Sequence, residues 1–215
     1  MSATEYVMKI LHLTVGPIGT NCYIPYNETT RACLVVDPGD NAPGIIDAIQ
    51  SHELRPEAVL LTHAHFDHIY GLNDLVAEYP SLPVLAAEAE KPMIEDTALN
   101  CGMGFDRNYH IHVTRYLRDK ESFSFAGMTF EALLTPGHTA GSMCYYDAAD
   151  QVLYAGDTIF CESYGRTDLP TGSDSAMASS LRRLLTSLPP KTQVLCGHGP
   201  MTTIGHEREV EGIGL

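Results

Sequence analysis

The sequence has 215 residues, of which 44% are hydrophobic and 19% are charged, and it carries a formal net charge of −14 at pH 7. A chain of this length can bury a hydrophobic core without disulfide bonds. The negative charge disfavours nucleic acid and anionic membranes as partners, because a protein that binds a phosphate backbone needs a basic face. The sequence contains neither a run of 18 apolar residues nor a signal-peptide pattern, so we expect a cytoplasmic protein that does not bind membranes.

The first half of the chain alternates strand and helix patterns. Residues 6–14, residues 20–26 and the run RACLVVDPGD predict an N-terminal meander of β-strands. Asn41 precedes an amphipathic helix that we expect to end at about residue 53. After this helix, AVLLTH predicts a buried strand, GLNDLVAEY a helix, PVLAAE a strand and EKPMIEDTAL a helix.

Strand patterns return in the second half, at SFSF, MTFEALLT, SMCYYD and QVLYAGD. Ser173 can cap a helix over SDSAMASSLRRLLTSL, and Pro189 and Pro190 end it. TQVLCG then predicts a last strand and TTIGHEREV a last helix. Two halves that each place strands before helices predict an α/β fold, in which two sheets form a sandwich covered by helices. We expect residues 1–215 to form a single domain.

The six cysteines are scattered without a C-x-x-C pair, and most lie in apolar, strand-like runs. This pattern favours reduced cysteines that pack as small hydrophobic side chains over a disulfide framework or a thiolate zinc site.

Groups that can bind metals follow four apolar runs. They lie in THAHFDH at 62–68, TPGHT at 135–139, AGDT at 155–158 and CGHGP at 196–200. Loops at the ends of strands expose such side chains on a rigid scaffold, so this arrangement predicts one shared site. The candidate metal ligands are His63, His65, Asp67, His68, His138, Asp157 and His198.

The first cluster supplies four of these candidates. Residues two apart in an extended segment point to the same side, so His63, His65 and Asp67 can converge while His68 approaches from the opposite side. Five histidines and two aspartates without a thiolate suit zinc, manganese or iron, and they leave room for water. The isolated histidines are expected to be ordinary core or surface residues; they are His12, His52, His110, His112 and His206.

THAHFDH resembles the His-x-His-x-Asp-His motif of the metallo-β-lactamase superfamily, and the three later candidates follow in that family's order. The resemblance covers nearly the whole chain and implies an αββα sandwich. The segments TPGHTAGSMCYY, AGDTIFCESYGRTDLPTGS and GHGPMTTIGHER are most similar to the small glyoxalase II-like (hydroxyacylglutathione hydrolase-like) enzymes.

This resemblance implies two divalent metal ions, with zinc expected first and iron or manganese as alternatives. His63, His65 and His138 would hold one ion, and Asp67, His68 and His198 the other. Asp157 would bridge them; because the β-lactamases of the superfamily have cysteine or serine at this position, a lactam is not the expected substrate.

The implied reaction is hydrolysis of a small-molecule thioester, of the S-lactoylglutathione type, by a hydroxide held between the ions. Asp67 would be the catalytic residue that orients the water and accepts its proton. A thioester suits such a site because a thiolate can leave without a proton donor.

Substrate contacts are less well defined by the sequence. Arg166 and Tyr164 are candidate substrate-binding residues, although Arg166 could equally pair with Asp168. Tyr23 and the segment CGMGFDRNYHIH are further candidates for the mouth of the site, and packing roles are equally open for them.

Other functions remain open. A persulfide dioxygenase would use a single iron held by two histidines and an aspartate. A lactonase, a non-catalytic metal-bound or ligand-binding module and a nuclease are weaker alternatives.

Overall fold

The computed structural model describes residues 7–101 and 110–210. The first half of the chain forms a six-stranded sheet whose strands lie in chain order, the first three antiparallel and the others parallel. Its elements are β1 (Met8–Val15), β2 (Thr20–Asn27), β3 (Ala32–Val36), α1 (Ala42–Ser51), β4 (Arg55–Leu60), α2 (Phe66–Ile69), α3 (Leu72–Glu78), β5 (Val84–Ala87), a 3-10 turn at Glu88–Glu90, α4 (Lys91–Glu95) and β6 (Arg115–Leu117).

The second half forms another six-stranded sheet and a small hairpin. Its elements are β7 (Ser122–Phe125), β8 (Met128–Leu134), β9 (Met143–Asp147), β10 (Val152–Gly156), β11 (Ile159–Phe160), β12 (Ser163–Tyr164), α5 (Asp174–Ser187), β13 (Gln193–Cys196), β14 (Thr202–Thr203) and α6 (Ile204–Glu209). The sheet order is β14-β13-β10-β9-β8-β7, and only β10 and β13 pair in parallel within it. The strands β11 and β12 form the separate hairpin.

Three hydrophobic clusters divide the interior into layers. In β3, Leu34 and Val36 point into the cluster between the two sheets, while Cys33 and Val35 point into the cluster beneath the helices of the first half. Period-2 alternation explains this division, and a strand that is buried on both faces is therefore apolar throughout. A third cluster packs the second sheet against α5, where Leu184 is fully buried. The predicted αββα sandwich is confirmed.

Some predicted boundaries are wrong. The helix predicted over EKPMIEDTAL ends at Glu95, because Asp96 is extended and its side chain accepts a hydrogen bond from the Ala98 N–H. The helix predicted over TTIGHEREV begins only at Ile204, since Thr202 and Thr203 form β14 and the Thr203 side chain caps α6. The sequence pattern also missed β6, β11 and β12, which have only two or three residues each.

Four of the six cysteines are buried, as the sequence predicted, and all six are free; Cys161 lies in a group with Glu162 and His206 whose ligand atoms are within 4.8 Å of one another. Among the described residues, no helix is both long enough and apolar enough to span a bilayer.

Candidate metal centre

The four sequence clusters meet in one place. His63, His65, Asp67 and His68 follow β4, His138 follows β8, Asp157 follows β10 and His198 follows β13. A bridge between Thr20 and His198 connects the start of β2 in the first sheet to the loop after β13 in the second. The seven side chains therefore lie between the two halves of the molecule.

Six of the side chains form two groups, each with ligand atoms within 4.8 Å of one another, and His63, His68 and Asp157 form a third group that overlaps both. We refer to His63, His65 and His138 as the buried triad, because each residue is 3% exposed or less. Asp67, His68 and His198 form the open triad, in which the side chains of Asp67 and His198 are 15% and 23% exposed.

Asp157 lies between the two triads. Its Oδ2 atom is 3.4 Å from His138 Nε2 in the buried triad, and its Oδ1 atom is 3.3 Å from His68 Nε2 in the open triad. One carboxylate therefore reaches both groups, and its Oδ2 atom also lies 3.6 Å from His198 Nε2 in the open triad.

The buried triad consists of neutral imidazoles. Burial, together with the neighbouring His138, lowers the pKa of His65 to about 3, and burial likewise lowers the pKa of His63. His65 Nδ1 lies 2.8 Å from His138 Nε2. Neutral imidazole nitrogens with free lone pairs are common metal ligands, so this group has the protonation state that a metal requires.

Outward-facing ring nitrogens fix the orientation of two histidines. His138 Nδ1 donates to the carbonyl oxygen of Arg166 at 2.6 Å, and His68 Nδ1 donates to Asp37 Oδ2 at 2.9 Å. These bonds leave the Nε2 atoms of both rings directed into the centre. Partners of this kind commonly orient histidines that bind metals.

Carboxylates make the open triad favourable for positive charge. Burial raises the pKa of Asp67, but interactions with His68 and His198 outweigh it, so the net pKa lies below its usual range. Burial lowers the pKa of His68, and the carboxylates of Asp157 and Asp67 outweigh that effect and raise it. Thr20 Oγ1 also donates to Asp67 Oδ2 at 3.0 Å, which fixes the position of this carboxylate.

One buried nitrogen tests whether these residues fit a metal. His63 Nε2 has no hydrogen-bond partner among the described residues, and the nitrogen that His65 directs towards His138 is Nδ1. Such an unpaired atom destabilises a fold unless something satisfies it. An unpaired imidazole nitrogen, grouped ring nitrogens and an intervening carboxylate form a donor set that suits a divalent cation.

Glycines allow the loops to approach closely. A Cβ atom at Gly197 would lie 2.1 Å from Asp157 Oδ1, and one at Gly156 would lie 2.3 Å from Thr62 Oγ1. Gly156 also has a φ of 49°, which side-chain-bearing residues rarely adopt. Any larger residue at these positions would move Asp157 or the loop that follows β4.

A cleft opens onto the centre. Apart from the triad residues and Asp157, the described residues that line it are Ile18, Phe66, Cys101, Phe160, Arg166 and Leu169. A smaller adjoining pocket shares Ile18, Phe66 and Asp67 with this cleft. A substrate would thus meet apolar side chains beside a polar floor.

The predicted substrate residues have different environments. The exposed Arg166 guanidinium forms two 2.7 Å hydrogen bonds with the Asp168 carboxylate, so the pairing that the sequence allowed is present. Tyr164 lies on β12 and is 43% exposed. Tyr23 does not line the mouth, because it is buried and its hydroxyl donates to the carbonyl oxygen of Cys196. Most of the segment CGMGFDRNYHIH lies outside the described residues.

Sequence reasoning missed several residues that support the centre. Asp37 ends a strand before Pro-Gly and so shares the pattern of the four clusters, which could have identified it. Thr20 and Glu90 have no comparable local signal. The isolated His12 also contacts this region indirectly, since its Nε2 atom lies 2.8 Å from Asn21 Oδ1 and Asn21 donates to the carbonyl oxygen of Cys196.

Comparison with known proteins agrees with this geometry. A sequence profile described as the Metallo-beta-lactamase superfamily matches residues 15–198. The chain belongs to the metallo-β-lactamase superfamily. Among its curated relatives in this superfamily, "Probable metallo-hydrolase YqgX" of Bacillus subtilis is 36% identical and covers 94% of this chain and 95% of its own length.

Two solved structures of similar proteins have the same fold. The crystal structure of the BLEG-1 B3 metallo-beta-lactamase is 35% identical, with a TM-score of 0.86 over 95% of this chain and 99% of that one. The crystal structure of TTHA1623 in a di-iron-bound form is 37% identical, with a TM-score of 0.82 over 94% and 98%. Superfamily membership and the His/Asp cluster support divalent metal ions, and they leave the choice of metal and substrate open.

Proposed function

We propose that this protein is a metal-dependent hydrolase that cleaves a small-molecule thioester of the S-lactoylglutathione type. The buried triad would hold one divalent ion and the open triad a second, with zinc as the first expectation and iron or manganese as alternatives. The di-iron form of TTHA1623 supports a site for two ions and keeps iron open.

The position of Asp157 carries the proposal. A carboxylate with one oxygen 3.3 Å from His68 Nε2 and the other 3.4 Å from His138 Nε2 is suited to bridging two ions. A site for a single ion would have no use for a second group of three ligands on the far side of this carboxylate. A pair of bound ions supplies Lewis acidity and lowers the pKa of a water molecule towards neutrality.

The chain's own residues would orient the reactants. Asp67 faces the cleft as a carboxylate, held by Thr20, and could orient a water and accept its proton. Arg166, which also lines the cleft, could bind an anionic end of the substrate if it separated from Asp168. Tyr164, on the strand before Arg166, is a second candidate for contact with the substrate.

The leaving group favours a thioester over an amide. A thiol has a pKa of about 8.5, so its thiolate leaves near neutral pH without a proton donor, whereas an amine needs one. Of the described residues that line the cleft, those outside the proposed ligand set include no histidine or carboxylic acid. Arg166 keeps its proton, and burial raises the pKa of the Cys101 thiol, which makes it a weaker acid. The cleft therefore suits a leaving group that needs no protonation.

Elemental analysis combined with a substrate panel tests the proposal. The protein should be purified without added metal, analysed for zinc, iron and manganese, and assayed by thiol release from S-lactoylglutathione and other thioesters. We expect two metal ions per chain and release of free thiol. The Asp67→Ala variant should lose this activity, whereas Asp74→Ala, at an exposed position on α3, should retain it.

Other substrates in the same panel separate the alternatives. A single iron per chain with oxygen uptake on glutathione persulfide would replace the hydrolase with a persulfide dioxygenase. Hydrolysis of a β-lactam would align the chain with BLEG-1 despite the aspartate at position 157. Opening of an acyl-homoserine lactone would indicate a lactonase. If the protein binds two ions but turns over no substrate in the panel, and the Asp67→Ala variant gives the same rates, a non-catalytic role would be favoured.

A further inference from the structure

Glu90 is a buried carboxylate outside the proposed ligand set. It ends the 3-10 turn that follows β5, and it is only 1% exposed. A carboxylate is very costly to bury unless hydrogen bonds compensate for the loss of water. The identity of its partners therefore indicates what the side chain is for.

Its partners belong to two loops of the buried triad. Oε1 accepts a 2.8 Å hydrogen bond from the Ala64 N–H, and Ala64 lies between His63 and His65. Oε2 accepts a 2.9 Å hydrogen bond from Thr139 Oγ1, and Thr139 follows His138. The Gly141 N–H also donates to Glu90. One carboxylate thus connects the loop after β4 to the loop after β8.

The surrounding chain is built closely around this carboxylate. A Cβ atom at Gly141 would lie 2.4 Å from Glu90 Oε2 and 2.3 Å from the Glu90 backbone nitrogen, so the loop approaches as only glycine allows. Ser142 Oγ lies 2.8 Å from Thr139 Oγ1 and holds the hydroxyl that donates to Glu90. The network is buried and its members satisfy one another, so it resists displacement.

The open triad has a separate buried carboxylate. Asp37 accepts from the Thr62 N–H at 2.8 Å, from Thr62 Oγ1 at 2.6 Å and from His68 Nδ1 at 2.9 Å. Asp37 thus contacts a proposed ligand directly, whereas Glu90 contacts only the backbone and side chains that flank the ligands. Asp37 also reaches the buried triad, because Thr62 Oγ1, which donates to Asp37, lies 3.1 Å from His63 Nδ1. Glu90 is bonded only to the loops of the buried triad, whereas Asp37 contacts the open triad directly and the buried triad through Thr62.

We propose that Glu90 is a positioning residue that holds the His63–His65 segment and His138 at the spacing the buried triad needs, and so sets the zinc affinity of that half of the centre. This inference rests on the proposed two-ion centre but not on thioester hydrolysis. Partners outside the coordination shell commonly change metal affinity about 10-fold to 100-fold.

Zinc titration of the Glu90→Gln variant tests this inference. Glutamine keeps the shape and one acceptor, but its amide group cannot accept from the Gly141 N–H while its oxygen bonds Ala64. Stepwise zinc affinities should be measured by competition with a chromophoric chelator, and imidazole ¹⁵N shifts should report which histidines have bound zinc. We expect affinity at His63, His65 and His138 to fall about 10-fold to 100-fold, and affinity at His198 to change much less.

Asp147→Asn is the matched control. Asp147 is also a 1% exposed carboxylate and accepts from the backbone N–H groups of Ala149 and Asp150, but its turn joins β9 to β10 away from the centre. Asparagine keeps the oxygen that accepts both bonds, so this variant should fold and leave both zinc affinities unchanged. If Glu90→Gln behaves in the same way, Glu90 has a structural role only and the inference is wrong.

A second variant covers the case in which Glu90→Gln does not fold. Thr139→Val keeps the shape of the side chain but removes one donor to Glu90, so the zinc affinity of the buried triad should also fall, by a smaller factor. An unchanged affinity would overturn the inference.

Wild-type protein that binds two zinc ions but hydrolyses no thioester would contradict the proposed substrate, and the Glu90 result could still be interpreted. Wild-type protein that binds no zinc at these histidines would overturn both.

Discussion

The two triads share Asp157 but differ in exposure and charge. The buried triad consists of three imidazoles, with the pKa of His65 lowered to about 3, mainly by burial. The open triad contains a carboxylate, and its Asp67 and His198 side chains are 15% and 23% exposed towards the cleft. His65 and His138 line the cleft together with Asp67 and His198, so a substrate would reach both triads. The more exposed open triad is the half at which we expect the proposed reaction to occur.

The largest effect should come from the residue that joins the two halves. Asp157→Ala removes the carboxylate that reaches both triads, so both ion affinities should fall and thiol release should drop by about 10³-fold. Equilibrium dialysis and initial rates measure the two effects. Loss of one ion alone, with full affinity for the other, would mean that Asp157 belongs to a single triad.

The next largest effect should distinguish a role in catalysis from a role in metal binding. Asp67→Ala should lower kcat by about 10²-fold or more, because Asp67 faces the cleft and is placed to accept a proton. The buried triad should retain its ion, since Asp67 lies outside it. Steady-state kinetics and metal analysis on the same preparation test this, and a variant with normal kcat would refute the assignment of Asp67.

A smaller effect should appear only in the open half. Asp37→Asn weakens the acceptor for His68 Nδ1 without removing a proposed ligand. Zinc affinity of the open triad should fall about 10-fold to 100-fold, while affinity of the buried triad, which Asp37 reaches only through Thr62, should fall less. In Glu90→Gln we expect the opposite pattern, with the larger loss of zinc affinity at the buried triad. Equal losses at both triads in both variants would show that the halves are not separately supported.

The smallest effect should lie at the rim of the cleft. Arg166→Ala removes an exposed guanidinium but keeps the backbone carbonyl that accepts from His138. We expect a higher KM for an anionic thioester, an unchanged kcat and little change in stability, because exposed ion pairs contribute little to folding. Asp168→Asn is the counterpart that frees the guanidinium, and it should not raise KM. An unchanged KM in Arg166→Ala would remove Arg166 from the substrate site.

The sequence predicted the parts of this fold that follow from local patterns. Alternating and continuous apolar runs predicted most of the longer strands, and polar groups after four of those runs predicted the seven side chains that meet between the sheets. Asp37 follows the same rule after β3, although its role depends on β3 lying beside β4, which no spacing within the chain reveals.

Other features depended on packing that the sequence does not encode locally. Glu90 belongs to an acidic stretch, AAEAEKP, that is typical of a solvent-exposed segment. It is buried because the loops after β4 and β8 pack against it. Tyr23 could equally have faced the cleft or the interior, and the register of β2 against β3 places it inside. Short elements such as β6 form because neighbouring strands supply their hydrogen bonds.

A crystal structure of zinc-loaded protein, with anomalous scattering measured at the zinc absorption edge, tests the central claim most directly. The account predicts two zinc ions per chain, one at the buried triad and one at the open triad, with Asp157 in contact with both. A single ion at full occupancy, or two ions that do not share Asp157, would contradict it.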